Sequence, residues 1–306
     1  MSGNTGKRSE RFHRKEVQKA MVKNARKAKI IDKIVSVSAI VCVILAVIPL
    51  TSILIEVVKN GIAAFNWDFL TGRPSAIGRA GGGIGPAIQG TLIVVGLATM
   101  IGAPIGILTG IYLSEYAGGG SFSNGVRFFN EVMTGLPSVV MGIVAYILIV
   151  LTIGSFSVWA GAFALSLIMI PIVSRVTEET IKIIPNSIRE GGHALGIPKW
   201  KITLFITFKS AISGILTGVV LSIARIAGET APLIMTILGT SLFFTGFNSP
   251  VDALPLRIWR LSSQPYESAQ TQAWGAALFL IMMVLVLSVA LRLLAQRRGF
   301  AVKAEI

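Results

Sequence analysis

Residues 35–57 read VSVSAIVCVILAVIPLTSILIEV, an apolar run whose one charged side chain is Glu56. At about 1.5 Å of rise per helical residue, a run of this length crosses a bilayer core of roughly 30 Å. It follows a tail, residues 1–33, in which eleven Lys and Arg stand against Glu10, Glu16 and Asp32. That charge density precludes insertion of the tail. A basic tail directly before an apolar run is the pattern of a segment held on the cytoplasmic side over anionic headgroups. A nucleic-acid-binding arm is the alternative reading of such a tail, and no nucleic-acid partner is expected here. A cleavable signal peptide would carry a short basic region and only about 7–15 apolar residues, so residues 35–57 are expected to remain as the first span.

Working outward, the whole chain of 306 residues agrees: it is 53% hydrophobic and 14% charged, with mean hydropathy +0.75. A soluble globular domain is less apolar than this, so lipid must be part of the solvent. Five further runs qualify as spans, at about 90–113, 132–153, 158–173, 211–238 and 274–294, the fourth being short. Six spans from an inner N-terminus return the C-terminus, with Arg297, Arg298 and Lys303, to the inside together with the basic 176–210 loop. The 58–86 and 239–272 segments then face outward. The expected fold is an all-α membrane protein, a six-span helical bundle. The formal net charge of +14 is thus read as topology rather than as a polyanion-binding surface.

Several features lie inside these spans. Gly102, Gly106 and Gly110 recur every four residues in the second, which places them on one helix face where another backbone can approach. Pro104 in that span and Gly135-Leu136-Pro137-Ser138 in the third interrupt backbone hydrogen bonding, which is tolerated at membrane depth where protein or a water-filled cavity satisfies the freed groups. Arg225 and Glu229 fall near the middle of the fifth span, four residues apart on one helix face. A charge there costs several kcal/mol unless paired or hydrated, and intramembrane ionisable groups usually mark a pathway. A buried pair that merely joins two helices is the other reading. Gly228, Thr230 and Pro232 surround the pair, so an irregular helix is expected. Arg175 ends the fourth span before Glu178 and Glu179; its side chain either snorkels to the inner headgroups or faces the bundle as a second guanidinium beside Arg225. Guanidinium forks suit tetrahedral oxyanions better than ammonium groups do.

Other chemistry is not indicated. There is no G-x-x-x-x-G-K-[ST] loop, so the chain is expected to hydrolyse no nucleotide and to be no enzyme by itself. Gly81-Gly82-Gly83 and Gly85 look able to cradle a phosphate, but are expected to form a flexible outer turn. Two histidines, His13 and His193, and one cysteine, Cys42, make neither a metal site nor an intrachain disulfide. No cofactor is expected.

The inner loop reads Glu190-Gly191-Gly192-His193-Ala194-Leu195-Gly196, then nine residues, then Ile206. It resembles the EAA loop of ABC-importer permeases, the short helix that docks into the ATPase subunit. Gly191 and Gly192 stand where that family has alanines, and Lys209 where it has a proline. Two glycines weaken a helix by about 1 kcal/mol each, so docking is expected to order this segment. Arg225-Ile226-Ala227-Gly228-Glu229-Thr230-Ala231-Pro232-Leu233 is similar to the R-x-x-G-E-T-A-P-L segment of the phosphate permease family, PstA type. Residues 82–88, 135–138 and 253–259 look like that family too.

The resemblance implies a type I ABC-importer permease fold over residues 82–296. Residues 1–33 would then be a basic cytoplasmic tail, 34–81 the first span and outer loop, and 297–306 a short cytoplasmic tail. It implies a phosphate pathway through Arg225, Glu229 and Arg175, and ATPase coupling through Glu190, Gly191, Gly192, Gly196 and Ile206. The implied partners are a sister permease subunit, two ATP-binding subunits, an extracytoplasmic phosphate-binding protein, and lipid of a prokaryotic cytoplasmic membrane. Arginine chemistry alone leaves sulfate or molybdate as alternative cargo, and a stand-alone channel or ion-coupled carrier as an alternative class.

Overall fold

The computed structural model describes the backbone of residues 4–76 and 81–304, and side chains of 31–76 and 81–293. The chain divides into two compact units, residues 1–56 and 57–306. The first is the helix α1, Asn4–Gly61, up to Glu56; its apolar side chains from Ile31 to Leu54 are exposed, as a lipid-facing span requires.

The second unit is helical throughout its named elements: α2 (Gly85–Ile111), α3 (Ser121–Gly135), α4 (Ser138–Ala145), α5 (Val158–Lys182), α6 (Asn186–Ala194), α7 (Phe208–Ala227), α8 (Ala231–Thr236), α9 (Leu254–Ser262) and α10 (Glu267–Ala304). Among the described residues, five helices are long and apolar enough to cross a membrane, and six if the broken pair 121–135 and 138–153 counts as one span. The expected six-span bundle is therefore present, with its third span bent.

Helices α2 and α5 form the spine. A methyl group on Gly102 would lie 3.1 Å from Met169 Cβ, on Gly106 2.8 Å from Val173 Cβ, and on Gly110 2.6 Å from the Ser174 carbonyl. The pairings advance together, so the two helices run parallel, and the Gly-x-x-x-Gly face serves helix packing. Lipid tails are as apolar as these side chains, so this close van der Waals contact, rather than expulsion of water, holds the spine together. Val94, Ala98, Leu165 and Met169 continue the core, joined by Ile226 of α7 and Leu233 of α8.

Three expected spans need correction. The third is broken at Leu136-Pro137, where the axes turn by 107°. Pro137 cannot continue a helix and holds Leu136 extended. The fourth is not short. Ser157 Oγ accepts from the Ala160 amide at its start, and α5 continues to Lys182, because Arg175, Glu178, Glu179 and Lys182 pair with one another and with α3. The fifth stops at Ala227 rather than 238: Gly228–Thr230 is not helical and α8 follows as a separate short helix.

The glycine-rich outer turn is not a loose one. The amides of Gly83, Ile84 and Gly85 donate to the carbonyls of Arg73, Phe69 and Gly72 at 2.9, 2.7 and 3.1 Å, so these three are committed to the chain and cradle no anion.

Candidate functional site

The register of α5 against α7 sets the depth of the charged side chains. Gly214 faces Thr180 and Gly218 faces Val176, an antiparallel match. Carried about two turns further, it puts Arg225 level with Met169, near the centre of α5, and Arg175 about 9 Å away along the axis. Arg225 thus stands level with the middle of α5, although it lies in the last turn of α7 rather than at the middle of that helix. Its partner does not share an unbroken helix with it: Glu229 lies in the gap after Ala227, and Arg225 Nε is 4.0 Å from Glu229 Oε1. Arg225 is 62% exposed and Glu229 18%, so the pair is loose and open on its arginine side. The irregular backbone expected from Gly228 and Pro232 is the gap between α7 and α8; there Pro232 packs so closely on α4 that a methyl on Gly142 would lie 2.7 Å from its Cα.

Arg175 donates from Nε to Oε1 of Glu179 at 2.5 Å, both side chains being largely exposed. It lines a cavity of about 460 Å³ between α3 and α5, with Arg127, Asn130, Glu131, Thr134 and Glu178 on the same wall. Arg225 does not line this cavity, so the two guanidiniums do not form one array there.

Arg127 is the residue that sequence reasoning missed. Its spacing with Asn130, Glu131 and Thr134 marks one polar face on the amphipathic α3, and that was the available signal. Arg127 Nε donates to Glu178 Oε1 at 3.2 Å, its Nη2 to the Leu113 carbonyl at 3.0 Å, and Asn130 Nδ2 to Ser174 Oγ at 3.0 Å.

Beyond the end of α5 the segment around Glu190 forms the helix α6 despite its two glycines. Arg189 explains why. Its guanidinium donates to Glu115 at 2.9 Å, to the carbonyls of Ile184 and Ile181 at 2.8 and 3.0 Å, and to Asn186 Oδ1 at 3.0 Å. Gly196 ends the segment with φ of +72°, its amide donating to His193 and that of Ile197 to Gly192, a left-handed cap that suits glycine. Gly192 is buried beneath Ile202, whose Cδ1 would sit 2.9 Å from an alanine methyl there, while the space beside Gly191 is open. Glu190 and Gly191 are exposed and Ile206 is half-buried in the π-helical turn Ile202–Thr207.

Just before α9, Asp252, fully buried, pairs with Arg257 at 2.5 Å, and Arg257 donates to the Thr240 carbonyl at 3.0 Å. Burial pushes the Asp252 carboxyl above the ordinary carboxylate range, and Arg257 limits that rise. Among the described residues no three His, Cys, Asp or Glu side chains gather as metal ligands would.

Residues 102–299 match the family described as binding-protein-dependent transport system inner membrane component. The chain is 40% identical over 242 residues to the phosphate transport system permease protein PstA of Yersinia pestis, covering 79% of this chain and 82% of that one. It is 37% identical over 254 residues to the probable phosphate transport system permease protein PstA of Methanocaldococcus jannaschii, covering 81% and 88%. Its fold is similar to chains of a bacterial alginate ABC transporter (TM-score 0.64, 17% identity, 88% of this chain and 96% of that) and of the inward-facing MetNI methionine ABC transporter (TM-score 0.57, 14% identity, 69% and 95%). A six-span bundle with a broken third span, an exposed loop helix after α5 and this degree of likeness lead to one assignment: the chain belongs to the family of binding-protein-dependent transport system inner membrane components, together with the PstA-type phosphate permeases.

Proposed function

We propose that this chain is the phosphate-translocating permease subunit of an ATP-driven importer in a prokaryotic cytoplasmic membrane. The observation that carries the reading is the 40% identity to a phosphate permease across four fifths of the chain. The arginines at two depths support it, since each offsets part of the cost of stripping water from an anion with one to two charges. Both termini lie inside. The partners are a sister permease, two ATP-binding subunits that supply the hydrolysis this chain has no phosphate loop to perform, and an extracytoplasmic binding protein that delivers cargo. The α6 surface around Glu190 and Gly191, continuous with exposed Leu195, is where an ATP-binding subunit docks. Ions pass from Arg225 and Glu229 to Arg175, and release is eased because each arginine keeps a carboxylate beside it.

The test is uptake of labelled phosphate into liposomes carrying the assembled importer and its binding protein, with sulfate and molybdate as competitors. ATP-dependent uptake that excess phosphate suppresses, and excess sulfate or molybdate does not, supports the reading. Suppression by sulfate or molybdate moves the cargo elsewhere, and uptake by the chain without ATP-binding subunits defeats the class.

A further inference from the structure

Two cations share one carboxylate oxygen at the inner end of α5. Glu178 Oε1 lies 3.1 Å from Arg127 Nη2 and 2.6 Å from Lys182 Nζ. The Glu178 side chain is 6% exposed and Arg127 is 33% exposed, on the wall of the 460 Å³ cavity that Arg175 also lines. Lys182 alone neutralises Glu178, so the fold keeps its carboxylate balanced when Arg127 leaves. Arg127, Arg175 and Lys182 formally balance Glu131, Glu178 and Glu179 around this wall. An anion entering the cavity therefore binds by taking a guanidinium from its carboxylate, not by filling a surplus of positive charge, and such an exchange is readily reversed.

We propose that Arg127 is a third cargo-binding arginine, after Arg225 and Arg175, held by Glu178 until phosphate arrives from the level of Arg175 and released to it while Lys182 keeps Glu178 neutral. This rests on the phosphate-permease reading above. A guanidinium presents two parallel donors to a tetrahedral oxyanion, which a lysine in its place would not. Asn130, one turn further along the same face of α3, gives one amide hydrogen to Ser174 Oγ and keeps the other as a neutral donor beside the path.

The experiment uses the complete importer, with both permeases, the ATP-binding subunits and the binding protein, in liposomes containing anionic lipid. Labelled inorganic phosphate is the probe. R127Q should lower uptake at least tenfold while ATP hydrolysis stimulated by the loaded binding protein stays within twofold, so that more ATP is consumed per ion. The double variant R127Q/E178Q removes both members of the pair and leaves Lys182, a half-exposed ammonium, to solvent. If the pair were only structural it would restore uptake; the expected result is uptake as low as in R127Q. R127K, which retains the charge and so the assembly, should lower uptake about threefold. Wild-type uptake by R127Q, by the double variant or by R127K overturns the proposal. So does an R127Q defect that vanishes in liposomes of phosphatidylcholine alone, which would assign the site to an anionic lipid headgroup. Absence of phosphate uptake by the wild-type importer would instead sink the cargo reading and leave no R127Q comparison to interpret.

Discussion

Arg189 donates from Nε to Oε1 of Glu115 at 2.9 Å and thereby fastens the start of α6 to the C-terminal end of the α2 helical path. The side chains are 18% and 5% exposed, so the bond is shielded, and removing one partner strands the other. On the order of 3 kcal/mol is expected for such a stranded charge. Arg189→Gln should leave the permease in the membrane and reduce ATPase stimulation by the loaded binding protein at least tenfold. The measurement is ATP turnover of the purified complex; unchanged stimulation would show that the clamp carries no force.

Arg225→Gln separates transport from assembly. A 4.0 Å contact with a largely exposed arginine contributes less than about 1 kcal/mol, so the complex should assemble and melt as wild type does. Uptake of labelled phosphate should fall at least tenfold. Normal uptake at normal expression would take Arg225 out of the pathway.

The spine makes a prediction about size alone. Gly110→Ala drives a methyl to 2.6 Å from the Ser174 carbonyl, whereas the space beside Gly96 is empty within 4 Å. Overpacking of this kind costs about 1–3 kcal/mol. Thermal unfolding in detergent should show a clear drop for Gly110→Ala and none for Gly96→Ala; equal behaviour of the two would refute the packing scheme.

The anchor before α9 should be equally sensitive. Asp252→Asn removes the charge opposite Arg257 in a pair that is 0% and 9% exposed, at a cost of about 3–5 kcal/mol. Lower yield of folded protein is expected, read by size-exclusion profile and by proteolysis of the 239–262 segment. A wild-type profile would mean that Thr240 and neighbouring groups satisfy Arg257 without the carboxylate.

Hydropathy made the spans legible, since lipid imposes length and apolarity locally, and the Gly102, Gly106 and Gly110 spacing announced the α2 packing face. It missed the last turns of α5, because it counts Arg175, Glu178, Glu179 and Lys182 as four charges and not as two ion pairs. No local window contains Arg127, the further partner of Glu178 fifty-one residues away. Pro137 marked a break but not its angle, which depends on what α3 and α4 each pack against. Of the site, Arg175 and Arg225 stood out as charges in apolar surroundings. Their separation did not, because it follows from the α5–α7 register fixed by Gly214 and Gly218. Gly192 read as a weakness in a helix, yet it is the vacancy that Ile202 fills.

The glycine spine also fixes where the molecule can flex. Carbonyls and side chains interlock along α2 and α5 with no room for a methyl, so sliding one along the other would require prising them apart. At Leu136-Pro137 and Gly228–Thr230 the regular helical ladder stops, Gly228 and Glu229 donating only three residues back to Arg225 and Ile226, and the two short pieces beyond them, α4 and α8, touch through Gly142 and Pro232. With an ATP-binding subunit docked at α6 as proposed, a push delivered there reaches both interruptions through a spine that cannot slide.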